Sequence, residues 1–144
     1  MPVYPPLLKL ADEAAYRARF EALYCLGTIA AFDGIQVRFR KTDFDHCFFE
    51  SSQRNRVKDI FSPPRAERLE WMLVALQDVA AERFVGWDRD TKTYDKHRRV
   101  TLVCGNYVVV IALTGKKQAK FVTAYVADTL KSLHKIKASP KWTP

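Results

Sequence analysis

The fold is decided by the stretch from Tyr94 to Tyr125, which reads YDKHRRVTLVCGNYVVVIALTGKKQAKFVTAY. Three runs rich in Val, Thr and Tyr are separated by turns at Gly105 and Gly115, a pattern typical of antiparallel strands joined by hairpins. One more apolar run, Glu82 to Asp88, comes before this stretch. Residues 82–126 are therefore predicted to form a four-stranded antiparallel meander.

Helices are predicted on both sides of this sheet. Apolar residues at helical spacing predict an N-terminal helix over residues 8–33, which the turn signal Asp33-Gly34 ends. A closing helix is predicted over residues 127–137, and residues 35–81 are expected to hold a short strand and helical segments. Because helices and strands are segregated along the chain, the 144 residues are predicted to form one α+β domain.

Three local patterns support this prediction for residues 35–81. Residues 35–40 alternate apolar and polar side chains, which predicts a short strand or an extended arm. Residues 43–51 are ambiguous between helix and strand, and helix is preferred. Ser62, followed by two prolines, predicts the start of a helix whose apolar face continues to Ala80.

The charge is unevenly distributed along the chain. The formal net charge is +8, and residues 91–144 hold 11 Lys and Arg against 2 Asp and Glu, a balance of +9. The remaining 13 basic and 14 acidic residues leave residues 1–90 at −1. A basic excess that coincides with the predicted sheet favours a polyanionic partner, most simply RNA or DNA. The alternative is a basic surface that serves solubility alone.

Several classes of protein are not favoured by the sequence. Cys25, Cys47 and Cys104 are widely spaced, so they predict neither a disulfide framework nor a zinc site. No other metal or cofactor is suggested. The longest apolar stretch, Ala22 to Phe32, is too short to span a bilayer, and charged residues interrupt the N-terminus where a signal peptide would lie. The expected site of action is the cytoplasm, and delivery there as part of a larger protein is an alternative that stays open.

Alternation along the strands divides the predicted sheet into two faces. One face would carry His97, Arg99 and Thr101 from the second strand. Phe121, Thr123 and Tyr125 from the last strand would join them. The other face, with residues such as Val100, Leu102, Val122 and Ala124, would pack on the helices. The face with the cations and hydroxyls is predicted to be open.

That combination of side chains suits RNA cleavage by attack of the 2′-hydroxyl. The reaction needs a base for the 2′ proton, an acid for the leaving 5′ oxygen and a cation for the charged phosphorane. Histidine has a pKa near neutrality, and arginine offers paired donors to phosphate. The candidate catalytic residues are His46, His97, Arg99, Thr123 and Tyr125. The candidate nucleic-acid-binding residues are Arg54, Arg56, Trp87, Tyr94, Lys96, Arg98 and Lys120.

Each candidate also has a structural interpretation. His97 could be a solvated strand edge, Thr123 and Tyr125 could be ordinary strand residues, and His46 could bond a backbone carbonyl. Glu50 and Glu82 are the nearby carboxylates that could serve as a base.

Three segments resemble a known group of proteins: Phe61 to Trp71, Tyr107 to Ile111, and Phe121 to Tyr125. Together they are similar to phage- and mobile-element-associated nuclease modules of the barnase/EndoU/colicin/RelE superfamily. The resemblance covers roughly residues 35–127.

This resemblance implies a metal-independent RNase that acts as a toxin or effector. It implies a cleft that holds His46, Arg98 or Arg99, and Thr123 with Tyr125. It also implies a cognate inhibitor, expected to be acidic, that covers the basic face. The sequence departs from the barnase pattern because Tyr125 stands on the last strand where a histidine would be expected.

Two alternatives to an RNase stay open. One is a non-catalytic module that binds RNA or DNA through phosphate neutralisation. The other is a protein-interaction domain from a phage-related locus, whose basic face meets an acidic partner.

Overall fold

A computed structural model describes residues 4–51, 57–88, 93–94, 99–127 and 129–143, with the backbone alone for Trp87–Asp88 and Thr93–Tyr94. The helices in these ranges are α1 (Glu13–Tyr24), α2 (Asp43–Phe48), α3 (Pro63–Ala66), α4 (Trp71–Gln77) and α5 (Leu130–Lys137). The strands are β1 (Thr28–Ala30), β2 (Gln36–Arg38), β3 (Phe49–Glu50), β4 (Ile60–Phe61), β5 (Glu82–Val85), β6 (Trp87–Asp88), β7 (Thr93–Tyr94), β8 (Arg99–Cys104), β9 (Tyr107–Gly115) and β10 (Gln118–Val126). The α+β class predicted from the sequence is confirmed.

The main sheet is larger than the predicted four-stranded meander. Across the described ranges it has six strands in the order β1-β2-β10-β9-β8-β5. β5, β8, β9 and β10 are antiparallel neighbours, whereas β2 pairs with β10 in parallel, so the sheet is mixed. Gly105 turns β8 into β9 with a φ of 65°, which glycine adopts without strain. The prediction of a purely antiparallel sheet was therefore wrong at β2.

The predicted helix over residues 8–33 is too long. Asp12 accepts a hydrogen bond from the backbone N–H of Ala15 at 2.9 Å and caps α1, and the helix ends at Tyr24. The chain then forms β1, which turns through Asp33 and Gly34, both with positive φ, into β2. The apolar residues after Tyr24 extend the sheet instead of the helix.

The helix predicted from Ser62 to Ala80 is divided in two. α3 ends at Ala66, and α4 begins at Trp71. Between α3 and α4, Leu69 is fully buried, and its carbonyl accepts a hydrogen bond from the Tyr24 hydroxyl at 2.6 Å. The Tyr24 hydroxyl in turn accepts from the backbone N–H of Leu73 at 3.1 Å. This buried tyrosine therefore ties α1 to the linker and to α4.

One face of the sheet, called here the helical face, packs on α1 to α4 and holds the core. Its centre is aromatic: Phe39 stacks on Phe121 with ring centroids 4.5 Å apart, and Phe20 contacts Phe44 and Phe48 edge-on. All five rings are buried. Burial of rings of this size is the largest apolar contribution that a domain of this length can make.

A β-bulge in β10 corrects the predicted faces. The register passes from Phe121↔Ile111 directly to Thr123↔Val110, which leaves Val122 as the extra residue. Side chains before and after the bulge therefore alternate out of phase. Phe121 lies in the core with Ala124, and Lys120 shares the opposite face with Thr123 and Tyr125. The prediction that grouped Phe121 with Thr123 and Tyr125 on one face was therefore wrong.

The opposite face, called here the second face, is covered over β5, β8 and β9. Phe84, Thr101, Val103 and Val108 lie on it at 1%, 7%, 2% and 0% exposure. α5 carries the chain from β10 across to β5, and its last turn is tied there by an ion pair from Lys137 to Glu82 at 3.2 Å. These covered positions are called the closed half. The prediction of a fully open face fails there.

Another part of the second face is more exposed, and only Gln36 within it is half-buried. It comprises the outward residues of β1, β2 and the first part of β10, and is called the open half. Its members are Thr28, Gln36, Arg38, Gln118 and Lys120. The side chains of Val37 and Ala119 alternate with these residues and are buried, so the open half is the outer side of a well-anchored part of the sheet.

Candidate functional site

Five predicted site residues, Arg54, Arg56, Lys96, His97 and Arg98, lie outside the described residues. The backbones of Trp87 and Tyr94 pair with each other across the β6–β7 hairpin. The geometry described below therefore concerns His46, Arg99, Lys120, Thr123 and Tyr125.

Three of the predicted residues line up along β10. Lys120, Thr123 and Tyr125 all lie on the second face, paired with Ala112, Val110 and Val108 of β9. Lys120 is exposed, and Thr123 and Tyr125 are half-buried. β10 therefore presents one cation followed by two hydroxyl groups along a single line.

α2 brings His46 to the same strand. β2 pairs with β10 only along Gln118–Lys120. Beyond this point α2 packs against β10 instead. The thiol of the fully buried Cys47 donates a hydrogen bond to the Ala124 carbonyl at 3.4 Å. Because Ala124 lies between Thr123 and Tyr125, this contact fixes α2, and with it the exposed His46, beside that part of β10. Burial raises the pKa of Cys47 to about 12, so the thiol keeps the proton that it donates.

The surroundings of His46 favour its neutral form. Partial burial and the positive charge of Lys58 lower its pKa below the ordinary value of 6.5. Asp43 opposes the shift, and Arg65 adds to it. An imidazole with a lowered pKa is unprotonated at neutral pH and can accept a proton.

Lys58 and Arg65 were missed as site residues by the sequence analysis. The β3–β4 hairpin pairs Phe49 with Phe61 and so folds residue 58 back toward α2. Arg65 follows in α3, where its Nε lies 3.2 Å from Glu50 Oε1. The signal in the sequence was the basic loop that ends at Lys58, followed by the apolar pair Ile60-Phe61. The composition of this loop does not show that the chain folds back to His46.

The two carboxylates considered as a base are both held by cations. Glu50 is paired with Arg65, and Glu82 with Lys137 and Lys141 at 3.2 and 3.1 Å. Hydrogen bonds from Lys141 and Lys137 lower the pKa of Glu82. Lowered basicity makes Glu82 a poor proton acceptor, and its place at the end of α5 makes it an anchor for that helix.

Arg99 lies apart from His46. It pairs with Ala112 of β9, which pairs in turn with Lys120, so the Arg99 and Lys120 backbones are two strand spacings apart, about 10 Å. His46 lies on the far side of β10 from β9. A Cβ placed on Gly86 would lie 2.5 Å from Arg99 Cβ, which shows how closely the residue after β5 packs beside this arginine. β9 and β10 therefore lie between the Arg99 backbone and α2, which carries His46, although the resemblance implied one cleft for these residues.

A groove of about 470 Å³ lies on the open half. Its lining is polar and basic, and comprises Thr28, Gln36, Arg38, Arg40, Thr114, Gln118, Ala119 and Lys120. Only Lys120 was predicted as a binding residue. The alternation of Gln36, Arg38 and Arg40 with apolar neighbours was visible in the sequence, but the parallel pairing that sets β2 beside Lys120 was not.

Among the described residues, no three His, Cys, Asp or Glu side chains are grouped as metal ligands. Within the same ranges, none of the helices is long and apolar enough to cross a membrane.

Comparisons with protein-family models, with curated proteins and with solved structures give no match to this chain.

Proposed function

We propose that the protein is a metal-independent endoribonuclease whose cleavage site is centred on His46. The observation that supports this is the position of His46: it is exposed on α2, which Cys47 ties to β10 at the Ala124 carbonyl between Thr123 and Tyr125, and it lies within the electrostatic influence of Lys58 and Arg65. A neutral histidine beside cations and hydroxyls offers the groups that 2′-hydroxyl attack requires.

Two protons move in the proposed reaction: one leaves the attacking 2′-hydroxyl, and one is added to the leaving 5′ oxygen. His46 takes the 2′-hydroxyl proton, the 2′ oxygen forms a bond to phosphorus, and the bond from phosphorus to the 5′ oxygen breaks. Lys58 and Arg65 stabilise the negative charge of the phosphorane. The Tyr125 hydroxyl is the proposed proton donor to the leaving 5′ oxygen, and Thr123 the proposed hydrogen-bond donor to phosphate. The products are a 2′,3′-cyclic phosphate and a free 5′-hydroxyl.

The biological role that we propose for this activity is that of a toxin or effector acting in the cytoplasm. An RNase of this kind requires an inhibitor in the cell that makes it, and an acidic protein would suit the net charge of +8. Induced expression without an inhibitor should arrest growth, and the His46→Ala variant should relieve the arrest.

Cleavage of a labelled single-stranded RNA by the purified protein in EDTA tests the proposal. Wild-type protein should cleave, and His46→Ala should be slower by about 100-fold or more, because general acid–base catalysis typically contributes 10²–10⁴-fold. His134→Ala is the matched control, since His134 lies exposed on α5 and should leave the rate unchanged. Equal rates for wild-type and His46→Ala protein would contradict the proposed site.

Binding of RNA without cleavage is the second candidate function. It is favoured by the separation of Arg99 from His46 and by the pairing of Arg65 with Glu50, which uses part of the positive charge at the site. In that case the protein would leave RNA intact in EDTA and in Mg²⁺. It would still bind RNA, with an affinity that falls steeply as salt is added.

A further inference from the structure

The open half combines three features that packing does not require. It is exposed, it is basic, and it lies on strands whose opposite sides are firmly anchored in the core. The closed half of the same face shows what packing does require, since its positions are buried and all but Thr101 are apolar.

The cations of the open half are set side by side by strand register. Arg38 of β2 is directly opposite Lys120 of β10, and Thr28 of β1 is opposite Arg38. Residues directly opposite on neighbouring strands have their side chains on the same face, so the two positive charges lie next to each other. Like charges in this arrangement destabilise a sheet.

Nothing in the described part of the chain neutralises this pair. Neither Arg38 nor Lys120 has an ion pair with a described residue, and no described carboxylate belongs to the lining of the groove. Arg40, at one end, lies 3.6 Å from Asp43, whose other oxygen already accepts the backbone N–H of Arg40 at 2.8 Å. The repulsion between Arg38 and Lys120 would be relieved by an anion bound between them.

The uncharged part of the lining suits nucleotides better than an isolated anion. The Thr28 hydroxyl donates to Gln36 Oε1 at 3.0 Å, and the two N–H donors of the Gln36 amide take no part in that hydrogen bond. Gln118 and Thr114 add a second amide and a second hydroxyl. Amides and hydroxyls read the edges of bases and ribose hydroxyls, and base edges are accessible when the strand is unpaired.

We infer that this groove is a binding site for single-stranded RNA, in which Arg38 and Lys120 hold backbone phosphates and the amides of Gln36 and Gln118 contact the nucleotides. The choice of RNA rests on the proposed function. The protein chain from Arg38 to Cys47 runs beside β10 from Lys120 to Ala124. An RNA strand that lies in the groove along β10 therefore continues toward His46. The groove is thus a subsite that holds the flanking nucleotides of the RNA.

The binding experiment uses the His46→Ala protein, so that cleavage does not disturb it, and a fluorescein-labelled oligouridylate of 12 nucleotides as the probe. Arg38→Gln together with Lys120→Gln should weaken binding roughly 25-fold at 0.1 M salt, if each residue neutralises one phosphate of a single strand. The slope of log affinity against log salt should fall in magnitude by about 1.4. Both positions are exposed, so the circular dichroism spectrum should be unchanged, and the melting temperature should stay the same or rise slightly because the repulsion between the two charges is removed.

The matched control is the double substitution Lys131→Gln with Lys135→Gln on the exposed side of α5, which removes the same charge from elsewhere on the surface. It should change the affinity by less than about threefold, because distant charges are largely screened. Equal losses for the two double variants would overturn the inference and indicate binding by net charge alone. Unchanged binding in Arg38→Gln with Lys120→Gln would also overturn it.

Two competitors distinguish the class of ligand. Excess duplex RNA or poly-glutamate should displace the probe weakly, and displacement by either at concentrations that match unlabelled oligouridylate would overturn single-strand binding. The cleavage assay is independent of these results. If no cleavage is found but the groove variants lose binding, the proposed nuclease fails and the groove stands. If His46-dependent cleavage is found but these variants bind normally, the groove fails and the proposed nuclease stands.

Discussion

The two halves of the second face share a sheet but differ in what covers them. The closed half carries Phe84 and Val108, which are almost fully buried, whereas the open half carries Arg38 and Lys120, which are exposed. The strands of both halves are anchored on the helical face by core residues such as Leu102 and Ala119. The comparison shows that the types of residue on a strand do not by themselves locate a functional site. Thr101, which was predicted to lie on the open face, lies in the closed half and is 7% exposed.

The largest expected difference between the halves is in stability. Phe84→Ala should lower the free energy of unfolding by about 3–5 kcal/mol, because it removes a buried ring and leaves a cavity. Lys120→Ala, in the open half, should change it by less than about 0.5 kcal/mol. Urea denaturation followed by circular dichroism measures both. A small effect for Phe84→Ala would mean that the closed half is not packed as described.

The next expected effect lies at the border of the closed half. Gly86→Ala should cost about 1–3 kcal/mol, since its new Cβ would meet Arg99 Cβ at 2.5 Å. Gly27→Ala is the control, because nothing lies within 4 Å of its Cβ position. Combining Gly86→Ala with Arg99→Gly should cost less than the sum of the two single changes. Strict additivity would show that the two residues do not meet.

A smaller effect is expected in the pH dependence at the edge of the open half. His46 has a pKa below 6.5. If this residue is the base, kcat/KM should decrease on the acid side with a midpoint below pH 6.5. Lys58→Gln should move this midpoint to higher pH, because it removes a positive charge that lowers the pKa of His46. NMR titration of the His46 imidazole checks the same shift without requiring activity. A His46 pKa at or above 6.5 would contradict the described surroundings.

The sign of the effect on stability follows from the same shift. Between the lowered pKa of folded His46 and 6.5, the unfolded chain binds the proton more readily. His46 therefore makes the protein less stable as the pH falls through this window, and His46→Gln should remove that part of the pH dependence.

The smallest expected effect concerns the ion pairs that tie the C-terminal segment to β5. Glu82→Gln should cost at most about 1 kcal/mol, because its ion pairs with Lys137 and Lys141 are largely exposed. The pKa of Glu82 is lowered from 4.5, so this contribution is present above pH 4.5 and is lost as the pH falls through the folded value. A loss comparable to that of Phe84→Ala would mean that charges, not apolar contacts, hold α5.

The sequence was sufficient for the local features of the fold. Turn residues such as Gly105 and periodic apolar runs predicted the strands from Glu82 to Val126, because these signals depend on neighbours in the chain. β1 could not be predicted, since Thr28–Ala30 continues an Ala-rich pattern that also suits a helix. Its strand conformation comes from pairing with β2.

The site was less predictable than the fold for a related reason. The bulge at Val122 moves Lys120 to the face of Thr123, and no residue in Gln118–Val126 signals that extra position. The parallel pairing of Arg38 with Lys120 joins residues 82 positions apart, which alternation within one strand cannot reveal. The resemblance to nuclease modules pointed to His46 but not to Lys58 or Arg65.

The central claim is that the open half, together with His46, is where RNA binds. NMR chemical-shift mapping with ¹⁵N-labelled His46→Ala protein and unlabelled oligouridylate tests it most directly. The account predicts that the amide signals of residues 28, 36–40 and 118–120 shift on titration, with further shifts in α2, while those of α5 stay in place. Shifts concentrated in α5, with Arg38 and Lys120 unaffected, would contradict it.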